Sequence, residues 1–299
     1  MRKLRTFQPN GLWLVAGSAV LWGTIGVATQ AIYNVDSTSS LFINLARMLI
    51  AAPVLLAACW RVVGREMFNI QRRDFVIMAA SGTLLALSHA AYFAAIRYTG
   101  VTIATLLTVC VAPLAVACLS AALKLERLTG RIVIALICGV IGSVLLVGFH
   151  SPEGSDYRIG LGAMFSFVAA VSYASVIICG RFLAANYHPL QITAATFAVG
   201  TMALVVINVA IGVETTHTTQ GWLLLLYLGL VPTALAYWLL QMGLRSVSAT
   251  AASIVNMVDP LVAALLAWAL FGETLAITGI GGAALLILSI FLLSGDKGG

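Results

Sequence analysis

Long apolar runs separated by short polar or basic gaps make up the chain from residue 12 to residue 294. Each run is about 20 residues long, which is the length that an α-helix needs to cross the hydrocarbon core of a bilayer. The pattern predicts ten membrane-spanning helices, at residues 12–32, 39–60, 75–96, 101–122, 130–149, 160–182, 190–211, 221–242, 246–270 and 276–294. Only residues 97–100 separate the third span from the fourth, so these two helices are expected to be antiparallel neighbours.

The chain contains one pattern twice. Pro113 and Glu126 are thirteen residues apart near the end of an apolar run, and so are Pro260 and Glu273. An aromatic pair precedes each proline by just over twenty residues, Tyr92-Phe93 in the first case and Tyr237-Trp238 in the second. This repetition predicts two related units of about 150 residues each, the organisation typical of many secondary transporters. The two predicted units are residues 1–150 and 151–299.

Composition excludes an ordinary soluble domain. Hydrophobic residues make up 61% of the chain and charged residues 9%, against roughly 45–50% and about 25% in soluble domains. The net charge of +6 does not indicate a nucleic-acid partner, because the basic residues fall mainly in short gaps between apolar runs. The expected partners are therefore the lipid bilayer and a small-molecule substrate.

The basic residues also predict the orientation of the spans. Cytoplasmic loops carry an excess of Lys and Arg, and with the N-terminus in the cytoplasm only Arg97 and Arg158 fall in outer gaps, while Arg47 lies within a span. Both termini are then cytoplasmic. Because five spans per unit is an odd number, the second unit must enter the membrane from the opposite side. The predicted fold is an all-α integral membrane protein with two inverted-topology five-helix repeats.

The sequence lacks the motifs of the enzyme classes that we considered. It contains no His-Glu-x-x-His zinc motif, no Gly-x-Ser-x-Gly nucleophile elbow and no phosphate-binding Gly-x-x-x-x-Gly-Lys-Ser/Thr loop. Its 5 cysteines are scattered through apolar runs and form no Cys-x-x-Cys pair. We therefore expect no enzyme activity, no cofactor and no metal site.

Three features resemble one known family. They are the stretch AVLWGT from Ala19 to Thr24, the two Pro…Glu-x-Leu blocks, and the glycine-rich fifth and tenth spans. They resemble the drug/metabolite transporter superfamily, EamA type, and the stretch SHAAYFAAI from Ser88 to Ile96 is similar to bacterial aromatic amino acid exporters. The resemblance implies a multi-pass protein of the bacterial inner membrane, with helices 1–4 and 6–9 around a central cavity that opens alternately to each side.

Charged residues inside apolar spans are costly and are candidates for function. Arg47, His89 and Asp259 lie at similar depths below the outer ends of their spans. Arg47 or Asp259 could bind a zwitterionic substrate, or Asp259 and His89 could bind protons. Alternatively, Arg47 and Asp259 could simply neutralise each other, and His89 could make a structural hydrogen bond.

Aromatic and polar side chains complete the predicted cavity. Five aromatic residues fall away from the span ends, where interfacial Trp and Tyr usually lie: Trp22, Tyr92, Tyr173, Tyr237 and Trp238. Such walls suit a flat apolar ring with a polar tip, although helix packing would also explain each ring singly. Asn44 and Asn256 are candidate hydrogen-bonding residues, and Pro113 and Pro260 are candidate hinges because proline interrupts backbone hydrogen bonding.

The single predicted cavity cation, Arg47, favours a neutral or zwitterionic substrate. Amino acids, aromatic ones above all, are the predicted cargo. Sugar phosphates and nucleotide sugars would require several cations, whereas an organic cation or drug remains an alternative because aromatic walls and Asp259 would hold it. Small residues on the fifth and tenth spans, Gly139 with Ser143 and Gly279 with Ala283, indicate close packing within the monomer or a homodimer through helices 5 and 10.

Overall fold

The structure, a computed structural model, describes residues 9–126, 128–147, 158–211, 218–271 and 277–294. These residues form ten apolar helices: α1 (Pro9–Val35), α2 (Ser40–Val63), α3 (Arg72–Gly100), α4 (Thr102–Ala122), α5 (Gly130–Val147), α6 (Ile159–Leu183), α7 (Pro189–Ile211), α8 (Thr219–Gly243), α9 (Ala249–Leu270) and α10 (Ile277–Ser294). Within the described residues, 9 helices are long and apolar enough to cross a membrane, and α10 is slightly shorter. The predicted class, an all-α integral membrane protein, is confirmed. The cytoplasmic placement of the termini stays a prediction, since residues 1–8 and 295–299 lie outside the described residues.

Local signals explain where several helices begin and end. The hydroxyl groups of Ser39, Thr218 and Ser248 accept hydrogen bonds from backbone N–H groups in the first turns of α2, α8 and α9. Gly100, with a φ of 79°, reverses the chain between α3 and α4 in a conformation that favours glycine. The predicted separating segment, residues 97–100, is therefore helical up to its last residue, and the turn is tighter than the sequence indicated.

Two helices are irregular in the middle of the bundle. In α8 the segment Leu230–Leu235, which contains Pro232, forms a π-helical turn. In α9 the segment Asn256–Val258 forms a 3-10 turn immediately before Asp259 and Pro260. Both deviations have the same cause, because proline removes a backbone donor and crowds the preceding turn. Pro113, in contrast, lies in a stretch of α4 with helical backbone angles, so of the two predicted hinges only Pro260 adjoins a local break.

The helix contacts occur in matched sets. Helix α3 packs against α6 and α7, and correspondingly α8 packs against α1 and α2. Glycines make two of these approaches close: a Cβ at Gly200 would lie 2.9 Å from the carbonyl oxygen of Gly82, and one at Gly229 would lie 3.2 Å from that of Arg47. Helices α2 with α7 and α5 with α10 pair with their own counterparts. Exchanging α1–α5 with α6–α10 reproduces this set of contacts; the division of the chain into two related units stays a prediction.

One end of the bundle, here called the basic end, carries the connections α2–α3, α4–α5, α6–α7 and α8–α9. The basic residues described there are Arg61, Arg65, Arg72, Arg73, Lys124, Arg131, Arg181 and Arg245. At the opposite end the only basic residues in the described part of the chain are Arg97 and Arg158. The uneven charge predicted from the sequence is thus a property of the two ends of the folded bundle.

Hydrogen bonds join separate connections at the basic end. Glu126 accepts hydrogen bonds from the backbone N–H of Ala249 and from the backbone N–H and hydroxyl of Thr250, and thereby places a carboxylate at the positive end of the α9 dipole. The matching Glu273 lies outside the described residues. The Tyr187 hydroxyl donates to Asp74 at 2.8 Å and accepts from the backbone N–H of Gln71 at 3.1 Å. These bonds fix how the helix ends meet.

Two titratable groups in the α6–α7 connection reflect this packing. Burial, together with the carboxylate of Asp74, raises the pKa of Tyr187. Burial, together with the nearby charge of Arg245, lowers the pKa of His188. His188 is therefore neutral at pH 7, and Tyr187 keeps the proton that it donates to Asp74.

The small residues of α5 and α10 are used inside the monomer. A Cβ at Gly142 would lie 2.8 Å from the carbonyl oxygen of Gly282, so the two backbones are nearly in contact. The outer faces of these helices carry exposed aliphatic residues, including Ile137, Ile141 and Ile287. Close packing of α5 on α10 is thus observed at Gly142 and Gly282, whereas the predicted Gly139 lies against Met257 of α9; the homodimer stays a prediction.

We expect Gly282→Ala to lower the thermal midpoint of the purified protein in detergent. The added methyl group would lie 2.5 Å from the Gly142 carbonyl oxygen and 2.6 Å from the Leu146 nitrogen, an overpacking that costs about 1–3 kcal/mol. Gly281→Ala is the matched control, because a Cβ there meets nothing within 4 Å. Equal midpoints for the two variants would contradict the close α5–α10 contact.

Candidate functional site

An aromatic cluster lies where α1, α6, α7 and α8 meet in the middle of the bundle. The ring of Trp22 contacts those of Tyr237 and Tyr173, with centroids 5.0 Å and 6.3 Å apart. The ring of Phe197 contacts Tyr237 at 4.9 Å. All three contacts are edge-to-face, the arrangement that aromatic pairs prefer. We call Trp22, Tyr173, Phe197 and Tyr237 the aromatic floor.

Phe197 was not among the residues predicted from the sequence. It is fully buried on α7, next to Thr196. The sequence contains one indication of it, because Phe197 directly follows the stretch from Ile192 to Thr196. That stretch corresponds in the second unit to the region of Arg47 in the first. Phenylalanine inside an apolar span is nevertheless ordinary, and only the fold shows that this ring touches Tyr237.

Helix α1 shows on which side of the floor there is open space. Gly26, Gln30 and Tyr33 follow Trp22 toward the end opposite the basic end, lie on its face of the helix, and are exposed. Trp13 and Val20 are exposed on roughly the other face, where an apolar side chain meets lipid. Tyr33 also lies within electrostatic range of Tyr92 on α3. These exposed residues indicate open space between the helices above Trp22, on the side away from the basic end, and we call this space the cavity.

Opposite charges lie in this cavity without touching. Arg47 on α2 is 8% exposed, and Asp259 on α9 is half-buried. Each lies within electrostatic range of the other, yet no contact within the 4.0 Å of an ion pair joins them, both residues being described. The direct neutralising pair considered from the sequence is thus not formed. A gap between a buried cation and a half-buried anion is a candidate binding place for a ligand that carries both charges.

Five of the predicted site residues carry a buried polar atom that has no hydrogen-bond partner within the protein. The atoms are Asn44 Nδ2, Arg47 Nε, His89 Nδ1, Trp238 Nε1 and Asn256 Oδ1. Most buried polar groups in proteins are paired, because an unpaired one costs free energy. These atoms are therefore candidates for binding substrate or water, although seven further described residues also carry a buried polar atom without a partner.

Two tyrosines are positioned by hydrogen bonds. The hydroxyl of Tyr92 bonds the hydroxyl of Thr105 on α4, and Asn256 Nδ2 donates to the hydroxyl of Tyr173 at 3.5 Å. Thr105 is a second residue that sequence reasoning missed, since a lone threonine in an apolar span carries no distinctive pattern. These bonds tie α3 to α4 and α6 to α9 beside the charged pair.

The structure brings most of the predicted residues together. Arg47 lies within electrostatic range of His89 and Tyr237, and Asp259 within that of Tyr92 and Tyr173. Asn44 lies one helical turn from Arg47 on the same face of α2 and is 3% exposed. Trp238 follows Tyr237 on another face of α8 and packs, partly buried, against the core cluster that contains Trp22, Phe197 and Tyr237. Pro260 directly follows Asp259, and Pro113 is buried in α4.

A second, smaller cleft lies between the aromatic floor and the basic end. Tyr237 and Phe197 line it together with four polar residues: Ser81, Thr193, Thr196 and Gln241. The hydroxyl of Thr196 is buried without a partner, whereas Gln241 donates to the backbone oxygen of Gly180 at 2.8 Å. Polar groups therefore lie on both sides of the aromatic floor.

Comparison with known proteins finds relatives over most of the chain. A sequence model of the EamA-like transporter family matches twice, over residues 9–148 and 160–295. An uncharacterised transporter of Archaeoglobus fulgidus is 30% identical over 275 residues, covering 92% of this chain and 93% of that protein. The uncharacterised inner membrane transporter YicL of Salmonella typhimurium is 26% identical over 292 residues, 96% of each chain. A solved crystal structure shares the fold, with a TM-score of 0.82 over 95% of this chain and 96% of that chain, at 18% identity.

We expect Asn44→Leu to raise the thermal midpoint of the purified protein. Leucine has nearly the shape of asparagine, and replacing an unpaired buried polar group relieves a desolvation cost of about 1–3 kcal/mol. Asn208→Leu is the comparison variant, because Asn208 is also buried in a span with one unpaired atom, its Oδ1, but its amide nitrogen donates to the backbone oxygen of Leu204 at 2.9 Å, a hydrogen bond that leucine would lose. A fall in the midpoint of Asn44→Leu as large as that of Asn208→Leu would mean that Asn44 is a structural residue.

Proposed function

The chain belongs to the EamA-like transporter family, and on that premise we propose that it is a secondary carrier that exports amino acids, preferentially aromatic ones, and related amphipathic metabolites. Membership of the family makes the protein a multi-pass transporter of the plasma membrane and not an enzyme. The substrate and the direction of transport are the proposed part. They are supported by the charges and rings of the cavity and by the charge of the two ends.

The observation that carries the proposal is the unpaired approach of Arg47 and Asp259. A free α-amino acid bears a carboxylate and an ammonium group on the same carbon atom, and it can bridge two opposite protein charges that do not reach each other. The guanidinium of Arg47 suits a carboxylate, because its planar fork of donors matches the two oxygens. Asp259 then accepts from the ammonium group. Such a ligand would supply the compensating charge that each buried group lacks.

The aromatic floor supports a preference for aromatic side chains. Trp22 and Tyr237 contact each other through their rings, and Tyr237 and Tyr92 lie within electrostatic range of Arg47 and Asp259 respectively. Aromatic rings pack edge-to-face with other rings at a modest gain beyond area burial. A pocket that is mainly apolar with a few convergent polar groups is the usual form of a small-molecule site.

The ends of the bundle support the direction of transport. Loops rich in Lys and Arg remain in the cytoplasm, so the basic end faces the cytoplasm in the proposed orientation and the cavity above Trp22 opens outward. The smaller cleft with Thr193 and Thr196 then lies on the cytoplasmic side of the floor. In two inverted units, exchange of conformations between the halves would open these two spaces in turn.

An organic cation is the second candidate substrate. Asp259 lies within electrostatic range of Tyr92 and Tyr173, and a carboxylate among aromatic rings holds a cation by charge and by cation–π attraction. Arg47 in the same cavity would repel that cation. A sugar phosphate would find only Arg47 as a counter-charge among the described cavity residues, so the zwitterion fits best.

Transport by charge variants tests the proposal. In liposomes, labelled phenylalanine, leucine and threonine should exchange across the membrane by counterflow, and Arg47→Gln and Asp259→Asn should each reduce the rate. A charged hydrogen bond contributes about 1.5–3 kcal/mol, so a loss of about ten- to a hundredfold is expected. Arg97→Gln, an exposed arginine at the end of α3, is the control and should exchange normally. Exchange of an organic cation without any amino acid would replace the zwitterion by the second candidate.

The aromatic floor is tested separately. Trp22→Ala and Tyr92→Ala should each reduce phenylalanine counterflow by about tenfold, the effect of losing roughly 1.4 kcal/mol of binding, while the proteins still insert and fold. Trp13→Ala, on the same helix as Trp22 but 76% exposed, should transport normally. Undiminished phenylalanine transport by both cavity variants would show that these rings only pack helices.

A further inference from the structure

The part of the cavity above Trp22, here called the hollow, lies on the inner face of α1. Successive residues of an α-helix are rotated by about 100°, so Gly26 falls within about 40° of Trp22. Trp22 is 8% exposed, and its ring contacts that of Tyr237 within the aromatic floor. Gly26, one turn farther from the basic end, is exposed. Its exposure therefore cannot be lipid contact of the kind that Trp13 and Val20 make on the other side of the helix.

The contacts of α1 with its neighbours show on which side of this helix Gly26 lies. On one side Gly23 packs against α9, where a Cβ would lie 2.5 Å from the Cβ of Val262. On the other side Ala28 and Ile32 pack into a cluster with residues of α2 and α8. Gly26 lies between these two contacts and faces the centre of the bundle. A Cβ added there would nevertheless meet no atom within 4 Å.

The hollow lies at the height of the charged pair. Counting from the end opposite the basic end, Gly26 is nine residues below Val35 and Arg47 is seven residues below Ser40. At about 1.5 Å per residue these distances are about 13 and about 10 Å. Asp259, eleven residues from Leu270, lies at about 16 Å by the same measure. The unpaired Nε of Arg47 and the empty face of Gly26 thus occupy one layer of the bundle.

We propose that the space bounded by Gly26, Trp22 and Tyr92 is the subsite for the substrate's side chain, and that Gly26 sets the largest side chain that the carrier accepts. This inference rests on the proposed function and makes it more specific. The carboxylate and the ammonium group of the amino acid bind Arg47 and Asp259, and its side chain extends over Trp22 beside Gly26. Only glycine leaves this volume free, since a side chain at residue 26 would project into it. The ligand class is an apolar or aromatic side chain up to the size of a single or fused ring.

A graded series at residue 26 tests the size limit. Gly26→Ala, Gly26→Val and Gly26→Leu add increasing volume at a place where the first carbon meets nothing. In counterflow the rate for tryptophan and phenylalanine should fall step by step along the series, by about tenfold or more at leucine. The rate for alanine and threonine should stay within about twofold, because a small side chain leaves the filled volume unused. Parallel loss of large and small substrates, or unchanged preference at leucine, would overturn the inference.

Gly281→Leu is the matched control for the series. A Cβ at Gly281 also meets nothing within 4 Å, but Gly281 lies on the exposed side of the peripheral helix α10. It should leave the order of substrates as in the wild type. A change of preference in Gly281→Leu equal to that in Gly26→Leu would assign the effect to the loss of glycine in a span and would remove the subsite.

A labelling experiment separates failure of the subsite from failure of the substrate proposal. Gly26→Cys and Gly281→Cys are treated with a membrane-impermeant, water-soluble methanethiosulfonate from each side, and the added mass is compared with that of the wild type and its 5 native cysteines. Modification of Gly26→Cys from the side opposite the basic end, slowed by phenylalanine, is expected, whereas Gly281→Cys should not react in lipid. Absence of modification at residue 26 would overturn the hollow. Modification together with no amino acid counterflow by the wild type would leave the hollow intact and reject amino acids as cargo.

Discussion

The cavity depends on keeping a buried guanidinium and a buried carboxylate close but apart. Arg47 and Asp259 are both taken out of water within apolar spans, where an uncompensated charge is costly. Contact between them would lower that cost and would also fill the site. The structure instead holds them within electrostatic range and beyond ion-pair distance. In the proposed carrier, a bound zwitterion would supply the opposite charge that each of the two groups lacks.

A stiff scaffold is needed to maintain this separation. Arg47 is on α2, and Gly229 of α8 packs closely against the α2 backbone at this residue. Asp259 is on α9, and its carbonyl oxygen would lie 3.0 Å from a Cβ at Gly23 of α1. Small residues let helix backbones come near each other, and van der Waals packing then fixes their relative position. The 3-10 turn at Asn256–Val258 is a local constraint on the backbone, since it directly precedes Asp259, where regular helix resumes.

The aromatic floor divides two polar spaces that belong to different ends of the molecule. Above it lie the charged pair and the open face of α1, and below it lies the cleft with Thr193, Thr196 and Gln241. Tyr237 contributes to both, through Trp22 on one side and through the cleft lining on the other. In the proposed carrier a rearrangement of these rings is the step that connects the spaces. The irregular turns at Leu230–Leu235 and Asn256–Val258 lie in the two helices next to this step.

Much about this protein follows from the sequence alone. Hydropathy determines the spans, because lipid tolerates only backbone that is hydrogen-bonded within the helix, and the paired Pro…Glu blocks and the AVLWGT stretch indicate the family that the comparisons show. Arg47, His89 and Asp259 are conspicuous because charge is rare in such spans. Tertiary structure alone decides the rest: that Phe197 and Thr105 lie beside the predicted residues, that Arg47 does not pair with Asp259, and that Gly26 borders open space. Each depends on contacts or gaps between helices far apart in sequence, and hydrophobic periodicity records which face of a helix is buried but not what it is buried against.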